Sequence, residues 1–432
     1  MPRVATLAPR IVRRVPDPAP DPDSERALRG FDRADARRRA VRSVAKRSDG
    51  AKGRLSRPGD AMRRVRMPGA SARRVPLRRD ARACRPGPQG VTTDVLDSVS
   101  QFVLGASVAA LALGHRARPW RAVLWGGAVA TLPDLDVLID HGSAVANMLN
   151  HRADSHSLLW LTLVAPALAF VVATIERQRH CFGRWALAVW LALVTHPLLD
   201  AMTIYGTKLA LPFSDHGFAV GSLFVIDPLY TLPLCVGLAG YVLRGAVAGA
   251  RWNHAGLLLS CLYAAWSVFA QGVATGVAER ALAAQGLAPR SLIVTAAPLQ
   301  TMLWRVLAVD GDAAYEGFWS FFDGDRPLQL QRIDRGGPWL PAVRAIPAAA
   351  ALERFAGGFT KVERHGDKLR LVDLRMGQEP HYVFGFDVAR LDGDGAVVQN
   401  GVDRQDGARI DAGKGMAWLW PRMWGADIPA PR

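Results

Sequence analysis

Three short stretches carry the residue types that could do chemistry, and each borders an apolar run. The first is Pro133-Asp134-Leu135-Asp136-Val137. Two carboxylates beside hydrocarbon-like sequence need a partner, because an unpaired charge out of water is costly, and a cation is the simplest partner. A Pro-Asp turn or a helix cap explains the same residues without any function. The second is His151-Arg152-Ala153-Asp154-Ser155-His156-Ser157. Imidazole is a common ligand for zinc and similar metals; two interfacial histidines with Ser155 or Ser157 as an N-cap are the plainer reading. The third is Thr195-His196-Pro197-Leu198-Leu199-Asp200. A helix would put His196 and Asp200, four apart, on one face. A polar helix end would look the same.

Each stretch is weak alone, and the coincidence is what argues. Asp134, Asp136, Asp200, His151, His156 and His196 fall at the same predicted side of three apolar segments. Mixed nitrogen and oxygen donors of this kind suit a divalent metal, zinc first and manganese second, with room for more than one ion.

The elements that must position them are apolar. Six runs are predicted: Phe102–Gly114, which is short enough to be a span or a re-entrant helix, then Ala122–Ile139, Ser157–Ile175, Trp185–Leu199, Phe224–Leu243 and Ala255–Ala274. The last five approach the length needed for a hydrocarbon core of ~30 Å. Arg116, Arg118 and Arg121, then Arg177, Arg179 and Arg184, then Arg244 and Arg251 occupy every second loop. By the positive-inside rule those loops are cytoplasmic, so the metal-ligand candidates and the C-terminal domain face outward. Trp120, Trp125, Trp160, Trp185, Trp190 and Trp252 need no more than an aromatic-belt reading. Beyond residue 285 the pattern turns to period two with Gly-Asp turns. Leu292–Thr295, Trp304–Val309, Lys368–Leu374 and His381–Val388 read as strands. The expected architecture is therefore mainly α: a multi-span transmembrane helical bundle over 96–275, with an antiparallel β or α+β soluble domain over 285–432.

Residues 1–90 hold 25 Lys+Arg and 9 Asp+Glu, so the whole formal charge of +16 sits there. The segment has one aromatic residue, Phe31, and no stacking platform or zinc spacing, which excludes an evident nucleic-acid module. Arg and Pro without apolar residues cannot bury a core, so 1–90 is expected to be disordered. A second expectation is that the mature chain starts near Val91, a valine codon being a natural alternative start. Cys84, Cys181, Cys235 and Cys261 are far apart and form no C-x-x-C pair, which argues against disulfides and thiolate metal sites.

Asp97-Ser98-Val99-Ser100-Gln101, P-D-L-D-V at 133–137, H-R-A-D-S-H-S-L-L at 151–159 and H-P-L-L-D-A-M-T-I-Y-G-T at 196–207 stand in an order and spacing that resemble one family. It is that of the LexA-binding, inner-membrane-associated metal-dependent hydrolases. The stretches 298–306 and 354–359 resemble a longer branch of it. Many members carry a histidine where this chain has Gln101, and the usual Gly-Phe-Thr between the two histidines is here Ala153-Asp154-Ser155. The resemblance implies a membrane-bound hydrolase distantly like zinc phospholipase C, acting on a phosphoester at the bacterial inner membrane. Asp134, Asp136, His151, His156, His196 and Asp200 would be its metal ligands. On that footing Asp136 or Asp154 would take a proton from water, and Arg152 would hold the anionic substrate. The partners are then the lipid bilayer and an envelope or lipid phosphoester, with no nucleic acid. Two rivals remain. One is an ion or solute transporter, since intramembrane Asp and His also build ion paths. The other is a non-catalytic interaction or regulatory protein, although an outward C-terminal domain could not reach a cytoplasmic repressor.

Overall fold

A computed structural model describes residues 91–392, 396–406 and 410–431, without side chains at 91–98, 399–401 and 403–406. The expectations for 1–90, including the start near Val91, lie outside the described residues. Five helices surround the site region: α1 (Val91–Leu113), α2 (Pro119–Ala130), the short α3 (Ala144–Asn150), α4 (Leu158–Ile175) and α5 (Phe182–Ala201). Two more follow, α6 (Pro228–Ala248) and α7 (Ala250–Ala284). Among the described residues four stretches are long and apolar enough to cross a membrane: α4, α5 with the turn before it (Arg179–Ala201), α6 and α7.

The second predicted span is corrected. The apolar run Ala122–Ile139 is not one helix, because α2 ends at Ala130 after 12 residues, about 18 Å. Pro133 has no N–H to continue the ladder, and Asp134 and Asp136 enter a 3₁₀ turn, Pro133–Leu138. At the other extreme, α7 runs for 35 residues, far past the run expected at 255–274.

The helices approach through small residues. A Cβ on Gly126 of α2 would lie 2.6 Å from the Gly105 carbonyl oxygen of α1, and one on Gly256 of α7 would lie 2.4 Å from that of Pro233 in α6. Asn253 donates to the Ser107 carbonyl and Ser260 to that of Tyr230, which ties neighbouring helices together. The basic ends gather: Arg121 meets Glu176 at 2.5 Å, Arg184 donates to the Ala112 carbonyl, and Tyr241 donates to that of Gly114. The site lies at the opposite ends of α2 and α5.

The C-terminal part is antiparallel, as expected. One sheet has the order β1-β2-β3-β4 (Ser291–Ala296, Leu303–Asp310, Ala313–Ser320, Gln331–Asp334). Short helices α8 (Leu340–Arg344) and α9 (Pro347–Phe355) follow. A second sheet is ordered β10-β9-β6-β5, from β5 (Thr360–His365), β6 (Lys368–Asp373), β9 (Phe384–Leu391) and β10 (Val397–Asp406). The pair β7 (Gly377–Gln378) and β8 (His381–Tyr382) lies between, and α10 (Ala412–Met423) closes the chain.

These sheets are packed onto the helices. Ala270, Ala274 and Ala278, spaced by four along α7, are buried against Val294, Trp304 and Val306. Val145 and Met148 of α3 and Tyr205 share a core with Leu340, Leu352, Leu371 and Phe386. The segment leading into His151 is thereby braced by the second sheet.

Candidate metal centre

Four ligands converge. Asp134 comes from the 3₁₀ turn after α2, and His156 from the 3₁₀ turn Asp154–His156 that leads into α4. Ser157 caps α4 by accepting from the Trp160 N–H, which fixes where His156 stands. His196 and Asp200 lie four apart in the last turns of α5 and share one face.

The donor atoms form a tight polyhedron. His156 Nε2 and His196 Nε2 are 3.0 Å apart. Asp134 Oδ1 lies 3.5 Å from the first and 3.3 Å from the second. Asp200 Oδ2 lies 3.1 and 3.4 Å from them. Ligands at ~2.0–2.1 Å around a tetrahedral zinc stand about 3.3–3.4 Å from one another. Each of the five distances to the two histidine nitrogens is near that spacing, and the four donors lie within 4.8 Å of one another, a group that could hold one divalent ion. Asp200 Oδ2 is buried with no hydrogen bond of its own, and Arg152 Nε, 3.4 Å away, is the cation already beside it. His156, His196 and Asp200 are at most 1 % exposed, while the Asp134 side chain is 22 % exposed and marks the open side.

The other two predicted ligands stand beside this group. Asp136 Oδ1 is 2.8 Å from His151 Nδ1. Its Oδ2 accepts from the Arg152 N–H at 3.0 Å and from the Ser155 hydroxyl at 2.6 Å. Arg152 has φ 60°, a left-handed conformation that aims this N–H at the carboxylate. Ser155 Oγ is also 2.8 Å from His156 Nδ1. Because Ser155 gives its one proton to Asp136, it accepts from a His156 Nδ1–H. That tautomer leaves the Nε2 lone pair pointing into the cluster, the carboxylate–histidine arrangement that orients metal ligands. Ser155 was legible only as an N-cap candidate; the S-H dipeptide beside a P-D-x-D motif was the available signal.

Burial pushes the Asp136 carboxyl up, but the His151 hydrogen bond and charge and the Ser155 hydroxyl together hold it below its ordinary value. Asp134 is likewise held well down by His156 and His196 against the cost of its burial.

Gln101, at the position where the resembling family often has histidine, donates to Asp200 Oδ1 at 2.8 Å and to the His196 carbonyl at 3.3 Å. It holds a ligand rather than joining the four. Arg152 is buried; its Nε lies 3.4 Å from Asp200 Oδ2, its Nη1 donates to Thr203, and its guanidinium stacks over Tyr205. The head predicted to hold substrate is turned onto Asp200. Asp154, a predicted base, is exposed on the outer side of its turn.

Residues 96–274 match the model of a family described as the YdjM inner membrane protein. The chain is also similar to inner membrane protein YbcI of Escherichia coli (strain K12), with 34 % identity over 115 residues. That match covers 25 % of this chain and 63 % of the relative, so less than two thirds of YbcI is represented. No solved structure matches significantly. The matched region contains the cluster of Asp134, His156, His196 and Asp200 and three of the four membrane-length helices, and it ends ten residues before the fourth, α7, does. Together with those helices, the matches indicate an inner-membrane location.

Proposed function

We propose that this chain is a multi-pass membrane metal-dependent hydrolase that cleaves a lipid or envelope phosphoester at the outer face of the inner membrane. The observation that carries the reading is the cluster of Asp134, His156, His196 and Asp200, in which the two histidine nitrogens stand 3.0–3.5 Å from each other and from both carboxylates, open on the Asp134 side. A divalent ion held there, zinc by the donor set, supplies an acidified water and a polarised phosphoryl oxygen.

The remaining roles belong to the chain. His151, held through Nδ1 by Asp136, has a side chain 27 % exposed and a ring centroid 6.3 Å from that of His156. With Nδ1 so held, its Nε2 is the atom that would accept the proton. In that reaction water would attack phosphorus as His151 takes one of its protons, the ester P–O bond would break, and the protonated His151 would return that proton to the departing alcohol oxygen. Arg152 and Gln101 fix Asp200. The lip of the open side is apolar: Leu135, Val137, Leu138 and Ile139 are 53–79 % exposed. A rim of that character suits the acyl part of a lipid better than a soluble phosphate ester. The cluster sits at helix ends rather than halfway along them, which favours surface chemistry over a transport path.

The test is hydrolysis of bis(p-nitrophenyl) phosphate and of short-chain phospholipids by the detergent-purified full chain supplied with zinc. His156→Ala is expected to lose metal and turnover together. His151→Ala is expected to keep metal and lose turnover by roughly 10²–10⁴-fold. Undiminished hydrolysis by His156→Ala would refute the reading.

A further inference from the structure

The last helix exposes the wrong residues for a water-facing surface. α10 buries Trp418, Leu419 and Met423 against Ala297 and Leu303. A flanking face carries Met416 and Trp420, 46 and 60 % exposed, and is continued just past the helix by Trp424, 53 % exposed. Phe322, 48 % exposed, packs on Trp424 with ring centroids 4.8 Å apart, and Trp420 lies 6.0 Å from Trp424. Neighbouring Phe321 sits 5.7 Å from Trp266 of α7, and Trp266 lies 5.8 Å from Phe269. An aromatic ridge thus runs from α7 to α10.

Where the ridge meets α7 decides what covers it. α7 starts at its basic end with Arg251 and Trp252, and the Arg244 guanidinium lies 4.5 Å over the Trp252 ring. At 1.5 Å per residue, Trp266 is about 22 Å and Phe269 about 27 Å further along the helix. That is close to the ~30 Å of a hydrocarbon core. Between them Leu258, Leu259 and Leu262 are 55–59 % exposed, as a lipid-facing surface would be. From Ala270 onward one face of the helix, Ala270, Ala274 and Ala278, is buried against the first sheet, and Glu279 and Arg280 are exposed. Trp252 and Trp266 therefore stand at the two levels where a membrane protein carries its aromatic belts.

We infer that Phe322, Met416, Trp420 and Trp424 extend the outer belt sideways and seat the C-terminal domain in the interfacial layer of the bilayer, with α10 as an in-plane anchor. Lys414, exposed one turn before Trp418, reaches the headgroups. The inference needs the membrane and makes no use of hydrolysis.

The experiment is power-saturation spin-label spectroscopy on the full chain in phosphatidylethanolamine/phosphatidylglycerol nanodiscs. Cys84, Cys181, Cys235 and Cys261 are replaced by Ser, and a nitroxide is placed at Trp420→Cys. Asp367→Cys, on the exposed β5–β6 turn of the other sheet, is the control. The label at 420 is expected to relax with oxygen and to be shielded from the nickel chelate, with the reverse at 367. Equal nickel access at both sites would overturn the inference. So would shielding of 420 from both reagents, which would mean a protein covers the ridge. Met416→Cys, on the same face, gives the same reading if Trp420→Cys fails to fold.

Discussion

Ser155→Ala separates a metal centre from a chance group of polar side chains. The hydroxyl touches none of the other three ligands; it donates to Asp136 at 2.6 Å and stands 2.8 Å from His156 Nδ1. Without it, Asp136 Oδ2 is 3.6 Å from that nitrogen, too far for a hydrogen bond. His156 must then leave a buried Nδ1–H unpaired or move its proton to Nε2, which removes the lone pair from the cluster. Loss of such an outer partner costs about 10–100-fold in metal affinity, equal to roughly 1.4–2.8 kcal/mol. The metal-free fold loses one or two hydrogen bonds, about 1–2 kcal/mol, and stays intact. Zinc affinity is read by competition with a chromophoric chelator on detergent-purified protein, with circular dichroism as the check on folding. Affinity within twofold of the unsubstituted chain would refute the argument that the serine sets the histidine tautomer.

Other outcomes follow from the same geometry. Arg152→Ala leaves the buried Asp200 carboxylate without its cation, so the metal-free protein should lose about 3 kcal/mol of stability, seen as a lower Tm. Asp154→Ala should leave metal content and hydrolysis within twofold, because Asp154 is exposed beside the cluster rather than in it. Asp134 and Asp136 both titrate below 3.8 when folded. Their contribution is therefore present above the unfolded value and is lost as pH falls through the folded ones. The metal-free Tm should be flat from about pH 7 to 5 and drop below about pH 4.

Much of the site was legible because its residue types have few other uses beside apolar sequence. His196 and Asp200 announced themselves by helical spacing, and Asp134 and His156 by standing at the borders of apolar runs. What spacing could not settle was which of two nearby donors turns inward. Asp134 and Asp136 differ by two positions in a 3₁₀ turn, and only the fold sends one to the cluster and the other to His151 and Ser155. Arg152 read as a free cation because nothing in sequence foretold its left-handed backbone or the approach of Thr203 and Tyr205. Among the elements, strands with strict alternation such as Lys368–Asp373 were plain. Hydropathy ran the second apolar segment through Pro133, where the helix stops, and ended the last one near 274. The alanine stripe of α7 continues as helix because it packs on a sheet rather than on lipid.

The measurement that bears most directly on the four-ligand centre is metal content by elemental mass spectrometry of the detergent-purified full chain. It is made beside His151→Ala, His156→Ala and His196→Ala, each shown to be folded. The geometry predicts about one equivalent of zinc in the unsubstituted chain and in His151→Ala, and none in the other two. No metal in any of the four folded proteins, or its loss from His151→Ala as fully as from His156→Ala, would contradict it.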